Sequence, residues 1–100
     1  MEIHNDKGRR FYTTVEGGDA HILYRWGDNG SYDLFATYVP TQSRGHNIAD
    51  KMVREAIHTA RTENVKIIDT CPYVKSWFRK HPEEADILVK SSDNSMTSFY

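Results

Sequence analysis

The stretch Tyr32-Asp-Leu-Phe-Ala-Thr-Tyr-Val-Pro-Thr-Gln-Ser-Arg-Gly-His-Asn-Ile-Ala49 changes its hydrophobic period partway along, and that change decides the fold. From Tyr32 to Val39 the residues alternate, with Leu34 and Ala36 opposite Phe35, Thr37 and Val39. Such alternation marks a strand with one face in a core. From Ile48 onward the apolar residues are Ile48, Ala49, Met52, Val53, Ala56, Ile57 and Ala60, which share one face of an α-helix. Asp50, Lys51, Arg54, Glu55, His58 and Arg61 fall elsewhere, and Lys51, Arg54 and Arg61 read as the helix's solvated face. Glu63-Asn64 ends the helix, since Asn accepts the left-handed cap conformation. Val65 to Thr70 is then a short strand centred on Ile67 and Ile68. Strand, helix and strand make a unit whose two strands run parallel with a right-handed crossover.

Working upstream, Phe11 to Val15 and Ala20 to Trp26 are two more strand-like runs. Glu16-Gly-Gly-Asp19 between them suits a tight hairpin, because glycine takes positive φ at little steric cost. In the second run Ala20, Ile22, Tyr24 and Trp26 share one face. Gly27-Asp-Asn-Gly30 is a second turn, so the three strands form an antiparallel meander. Downstream, Pro72 suits the first position of a helix carrying Tyr73, Val74, Trp77, Phe78 and His81 on one stripe. Trp77 and Phe78 read as core there. His81-Pro82 stops that helix, and Ala85 to Val89 fits either a strand or a short helix. The expected class is α/β, a mixed α+β sheet with helices packed on it. Residues 1–89 form a single minimal domain, and 90–100 a polar tail expected to be flexible.

Composition bounds the function. At 38% hydrophobic and 27% charged, the chain has globular rather than disordered proportions. A net charge of -1 argues against a nucleic-acid partner, which calls for a basic surface. No apolar run approaches the roughly 20 residues of a membrane span. The start, Met1-Glu-Ile-His-Asn-Asp6, has no apolar signal region. A soluble, intracellular, cytoplasmic protein is expected, as a monomer or weak homodimer. The only cysteine, Cys71, excludes an internal disulfide and a cysteine zinc cluster. It also lacks the Cys-x-x-Cys spacing of thiol-transfer proteins. His4, His21, His46, His58 and His81 make no HxH or HxxxH pair, so no metal site is expected.

Open α/β sheets bind ligands beyond the carboxyl ends of their strands. That edge holds the Pro40–Asn47 loop and the Cys71-Pro72 corner. A helix start offers unpaired N–H groups and partial positive charge. Gly45 permits close backbone approach, and Arg44 can pair with phosphate oxygens. Together they suit a pyrophosphate. On spacing alone, a glycine-containing helix start with a solvated arginine remains the commoner meaning of so short a motif.

Thr37-Tyr-Val-Pro40, Arg44-Gly-His-Asn-Ile-Ala49, Cys71-Pro-Tyr-Val74 and His81-Pro-Glu83 occur in order over the span from about Arg9 to Val89. In this the sequence resembles the compact GCN5-related N-acetyltransferases. The resemblance implies transfer of an acetyl group from acetyl-CoA to an amine acceptor, small molecule or protein. The family loop, Gln/Arg-x-x-Gly-x-Gly/Ala, falls on Gln42-Ser-Arg-Gly-His-Asn47. It implies that backbone amides around Arg44, Gly45, His46, Asn47 and Ile48 hold the pyrophosphate. It also implies that the main chain at Thr37 and Val39 pairs with the pantetheine arm, one N–H stabilising the oxyanion. Asn47 stands where the family usually has glycine or alanine. Ala36 replaces a frequent histidine, and Tyr38 a carboxylate common in bacterial members. Cys71 matches a cysteine suspected of acting in the reaction, which implies either an acetyl-cysteine route or direct attack by the amine. Tyr73 or Tyr38 could relay the proton. Asn47 and the missing carboxylate leave a second function open, a non-catalytic acyl-CoA-binding or protein-interaction module. The helical segment that shapes the acceptor pocket in larger acetyltransferases is missing here.

Overall fold

A computed structural model describes residues 1–89. Its sheet contains β1 (His4–Asp6), β2 (Arg10–Val15), β3 (Gly18–Trp26), β4 (Tyr32–Tyr38) and β5 (Ile67–Ile68). The spatial order is β1-β2-β3-β4-β5. The first four strands pair antiparallel, and β4 pairs with β5 in parallel, as the strand-helix-strand pattern requires. The meander is therefore one strand longer than the sequence pattern indicates. His-Asn-Asp has poor strand propensity. Its place is fixed from outside, by pairing with Arg10–Tyr12 and by the Tyr24 hydroxyl donating to Asn5.

Two helices complete the domain, α1 (Ile48–Glu63) and α2 (Pro72–Lys80). The buried residues of α1 are Ile48, Met52, Val53, Ala56, Ile57 and Ala60, the face set by the periodicity. Burying each larger aliphatic side chain contributes roughly 1.5–3 kcal/mol. Helix propensities differ by only some tenths of a kcal/mol per residue, so packing rather than propensity positions α1. α2 buries Val74, Trp77 and Phe78 in the same core as Phe11, Ile22, Tyr32 and Leu34. On the opposite sheet face Tyr12, His21, Leu23, Phe35 and Tyr38 are none of them buried.

Other expectations change in detail. Only Ile67 and Ile68 of the Val65–Thr70 run form a strand. Opposite Leu23 and Tyr24, the register of β4 slips by one residue, leaving Phe35 as a bulge. Bulges bend the strand that holds them. The contact with β5 extends only over Tyr32 and Asp33. Trp26, placed with the core by alternation, is 50% exposed at the end of β3, where it packs on Tyr24 and Tyr32. Ala85–Val89 divides between the two expected forms. Pro82–Ile87 is a 3-10 helix, and Leu88 bridges Ile67 in parallel. Residues 90–100 lie outside the described residues. Among the described residues, no helix is long and apolar enough to cross a membrane.

Candidate functional site

Pro40 follows β4, and Thr41–Ser43 forms a single 3-10 turn. The Ser43 hydroxyl donates to the Glu16 carbonyl at 2.8 Å. Gln42 lies over Gly17, where an added Cβ would come within 2.5 Å of its side-chain oxygen. Gly17 also has φ of +95°, a conformation that costs side-chain-bearing residues energy. The β2–β3 hairpin thus buttresses the loop, and glycine at position 17 makes the contact feasible.

Gly45 has φ of +87°, and Asn47 is left-handed with φ 60° and ψ 27°. The chain reaches α1 through these two conformations. The first helical bond is from the Lys51 amide to the Asn47 carbonyl, at 3.1 Å. The amides of residues 45 to 50 have neither backbone nor side-chain acceptors among the described residues, and Asn47 makes no side-chain cap. Six successive unpaired donors lie at the positive end of a 16-residue helix, where an anion is favoured over a cation.

All of these residues except His46 border a cleft of about 250 Å³. Val39, Arg44, Gly45, Asn47, Ile48 and Tyr73 line it together. His46 is exposed in the loop but does not line the cleft. The Arg44 side chain lies back along the wall, its Nε donating to the Val39 carbonyl at 2.9 Å. Thr37 and Cys71 meet beside the cleft, with Oγ1 and Sγ 3.3 Å apart. Cys71 caps α2 ahead of Pro72, donates its amide to the Leu34 carbonyl at 2.8 Å, and is only 4% exposed. Past Phe35, the outer edge of β4 has no strand partner among the described residues.

Helical periodicity does not mark one further lining residue. Asp50, off the apolar face of α1, borders the cleft. Its carboxylate accepts from Trp77 Nε1 at 2.7 Å and from Arg54 Nε at 3.0 Å. Burial pushes this carboxyl up, but the two hydrogen bonds outweigh burial and hold it below its ordinary value. Its signal in the sequence is position, an acidic residue in the first turn of α1. Tyr73 is the opposite case. Burial and then the charge of Asp50 push its phenol above the ordinary value, so it is protonated at neutral pH. Among the described residues, no group of three or more His, Cys, Asp or Glu side chains is placed to hold a metal ion. A larger cleft, about 450 Å³, lies at the other end of α1 between Asn64, Val65, Ile68 and Leu88.

Comparison with known proteins supplies a second line of observation. A family model described as GCN5-related N-acetyl-transferase matches residues 10–87. Protein NATD1 of Danio rerio is 30% identical over 85 residues, covering 82% of this chain and 77% of the relative. Protein NATD1 of Homo sapiens is 28% identical over 85 residues, covering 82% and 75%. The solution structure of a GCN5-like putative N-acetyltransferase from Staphylococcus aureus superposes with a TM-score of 0.68 at 26% identity, covering 88% of this chain and 87% of that one. The mixed sheet, the loop leading into α1 and the family match over most of the chain agree: the protein belongs to the GCN5-related N-acetyltransferase family.

Proposed function

We propose that the domain transfers an acetyl group from acetyl-CoA to an amine acceptor. The supporting observation is the continuity of two unsatisfied backbone surfaces. Six unpaired amides at the start of α1 adjoin the unpartnered outer edge of β4. Acetyl-CoA has a matching pair of parts, a pyrophosphate and an extended amide-bearing arm. Gly45 fits this use, since an added Cβ would have no heavy atom within 4 Å, leaving space at the backbone.

In this assignment the amides of Gly45, His46, Asn47 and Ile48, with Arg44, hold the pyrophosphate. The main chain of Thr37 and Val39 holds the arm in the manner of an added strand. Bound acetyl-CoA supplies an activated acyl group. The chain aligns that group with the acceptor, and proximity provides much of the acceleration. Tyr73, protonated at neutral pH, is placed to give a proton to a departing thiolate. The burial of Cys71 favours direct attack by the amine over transfer through its sulfur.

Calorimetry with acetyl-CoA, followed by thiol release with a panel of amines, tests the assignment. Saturable binding and amine-dependent thiol release are expected, and Cys71→Ala should retain turnover. Intact mass after exposure to acetyl-CoA alone separates the routes, because an acetyl group retained only when Cys71 is present would establish the covalent one. Absence of binding at millimolar acetyl-CoA would rule out the donor. Binding without turnover would leave an acyl-CoA-binding module, consistent with Asn47 replacing the usual glycine or alanine.

A further inference from the structure

The donor cleft contains a negative charge that opposes its proposed ligand. Asp50 occupies the third position of α1 and lines the cleft whose free amides face it. A carboxylate in the first turn competes with any bound anion for the helix's positive end. Its charge is not left loose. Trp77 Nε1 and Arg54 Nε both donate to it, at 2.7 and 3.0 Å. Trp77 is itself fixed, only 4% exposed. His81 stacks on its ring at 3.9 Å and 15°, and the Arg54 guanidinium lies 5.2 Å from the ring centre. His81 Nδ1 is held 2.8 Å from the Trp77 carbonyl oxygen. The carboxylate on one helix is therefore held by an indole on the other and by an arginine one turn along α1.

We propose that Asp50 sets how strongly the donor cleft discriminates between phosphate-bearing and phosphate-free acyl thioesters, with Trp77 and Arg54 holding its charge away from the phosphate seat. This rests on the cleft being the acyl-CoA site. Two effects act on a phosphate there. The six amides and Arg44 attract it, and Asp50 repels it through a partly solvated gap. The repulsion is smaller because the carboxylate's lone pairs already point at two donors, one of them cationic. A thioester lacking phosphates experiences neither effect. Asp50 thus lowers the preference for CoA thioesters over pantetheine thioesters without touching the acyl group. Trp77 and Arg54 act as positioning residues, through the carboxylate.

The test is calorimetry with two probes, acetyl-CoA and S-acetylpantetheine, on the full chain. Asp50→Asn removes the charge but keeps a side-chain oxygen for the indole, so the fold is retained. It should bind acetyl-CoA about tenfold more tightly, with S-acetylpantetheine unchanged. Trp77→Phe removes the donor while keeping an aromatic ring. It should weaken acetyl-CoA binding about tenfold, again sparing S-acetylpantetheine. In the double variant Trp77→Phe should no longer weaken acetyl-CoA binding, because no charge remains to be freed. Circular dichroism on each variant verifies folding, and should Trp77→Phe fail to fold, Asp50→Asn alone decides. Unchanged or weaker acetyl-CoA binding by Asp50→Asn, or an equal shift for both probes, overturns the inference. If the wild-type chain binds no acetyl-CoA at all, the donor assignment falls as well. Wild-type binding with an inert Asp50→Asn removes this inference alone.

Discussion

The two ends of α1 are capped by the same residue in the same conformation and are otherwise opposites. Asn47 precedes the helix at φ 60°, and Asn64 follows it at φ 60°. At the carboxyl end the capping amides and the charged side chains find partners. The Asn64 amide donates to the carbonyls of Ala60 and Arg61, and the Val65 amide to Ala60. Glu63 accepts from Lys7 and from the buried Tyr32 hydroxyl, and Arg61 pairs with Glu84 and Asp86. At the amino end six amides have no partner among the described residues. Unpaired donors are costly when buried. Here five of the six belong to residues that line a cleft, where water or a ligand can satisfy them. One end of α1 contributes chiefly to stability, and the other is open for binding.

Substitutions can test this contrast. The largest expected effect is at the open end. Arg44→Ala should weaken acetyl-CoA binding by about 10- to 100-fold, the range of charge-assisted hydrogen bonds, while shifting the melting temperature little. At the closed end the outcome reverses. Glu63→Ala leaves the Tyr32 hydroxyl without its acceptor and should cost about 1–3 kcal/mol in denaturant unfolding, with acetyl-CoA affinity unchanged.

The same carboxylate has a pH signature. Hydrogen bonds from Lys7 and Tyr32 hold Glu63 below its ordinary value of 4.5. Its contribution is therefore fully present above that value and is lost as pH falls through the lowered one. Glu63→Gln should flatten the acid limb of the stability profile measured by urea titration. Burial and then Glu63 push Tyr32 in the other direction, up to about 12, so the phenol stays neutral throughout this range.

The smallest effect is the most discriminating. Asn47→Ala and Asn64→Ala should each cost about 1–2 kcal/mol, the penalty for a left-handed alanine, in chemical unfolding. Only Asn47→Ala should also alter acetyl-CoA binding. Equal effects of the two on affinity would abolish the distinction between the ends.

Much of this architecture is legible in the sequence, for physical reasons that also explain the remainder. Ile48 to Ala60 repeats with helical spacing over three turns, so the buried face of α1 follows from local order. The three long strands alternate, apart from Trp26 at an exposed strand end and the Phe35 bulge, which puts Ala36 on the face of Phe35 and Thr37 on that of Leu34. Elements that depend on distant partners are less visible. β1 exists because Arg10–Tyr12 lies beside it, and β5 is short because it meets β4 only at Tyr32 and Asp33. At the site, Val39, Arg44, Gly45, Asn47, Ile48 and Tyr73 converge on one cleft. Their placement follows from a strand, a loop and two helix starts meeting at one sheet edge. Asp50 is not legible as a site residue because a helical wheel shows only that it lies off the apolar face, whereas α2 brings Trp77 to it.

That pairing gives the molecule its own optical gauge. The chain has two tryptophans. Trp26 is half-exposed at the far end of β3 and supplies a solvent-like emission background. Trp77 is enclosed, with its indole nitrogen bonded to a carboxylate that borders the cleft at the start of α1. Anything that displaces or recharges that carboxylate alters the field along the indole. The tryptophan fluorescence of Trp26→Phe then isolates one chromophore that reports cleft occupancy without any added dye.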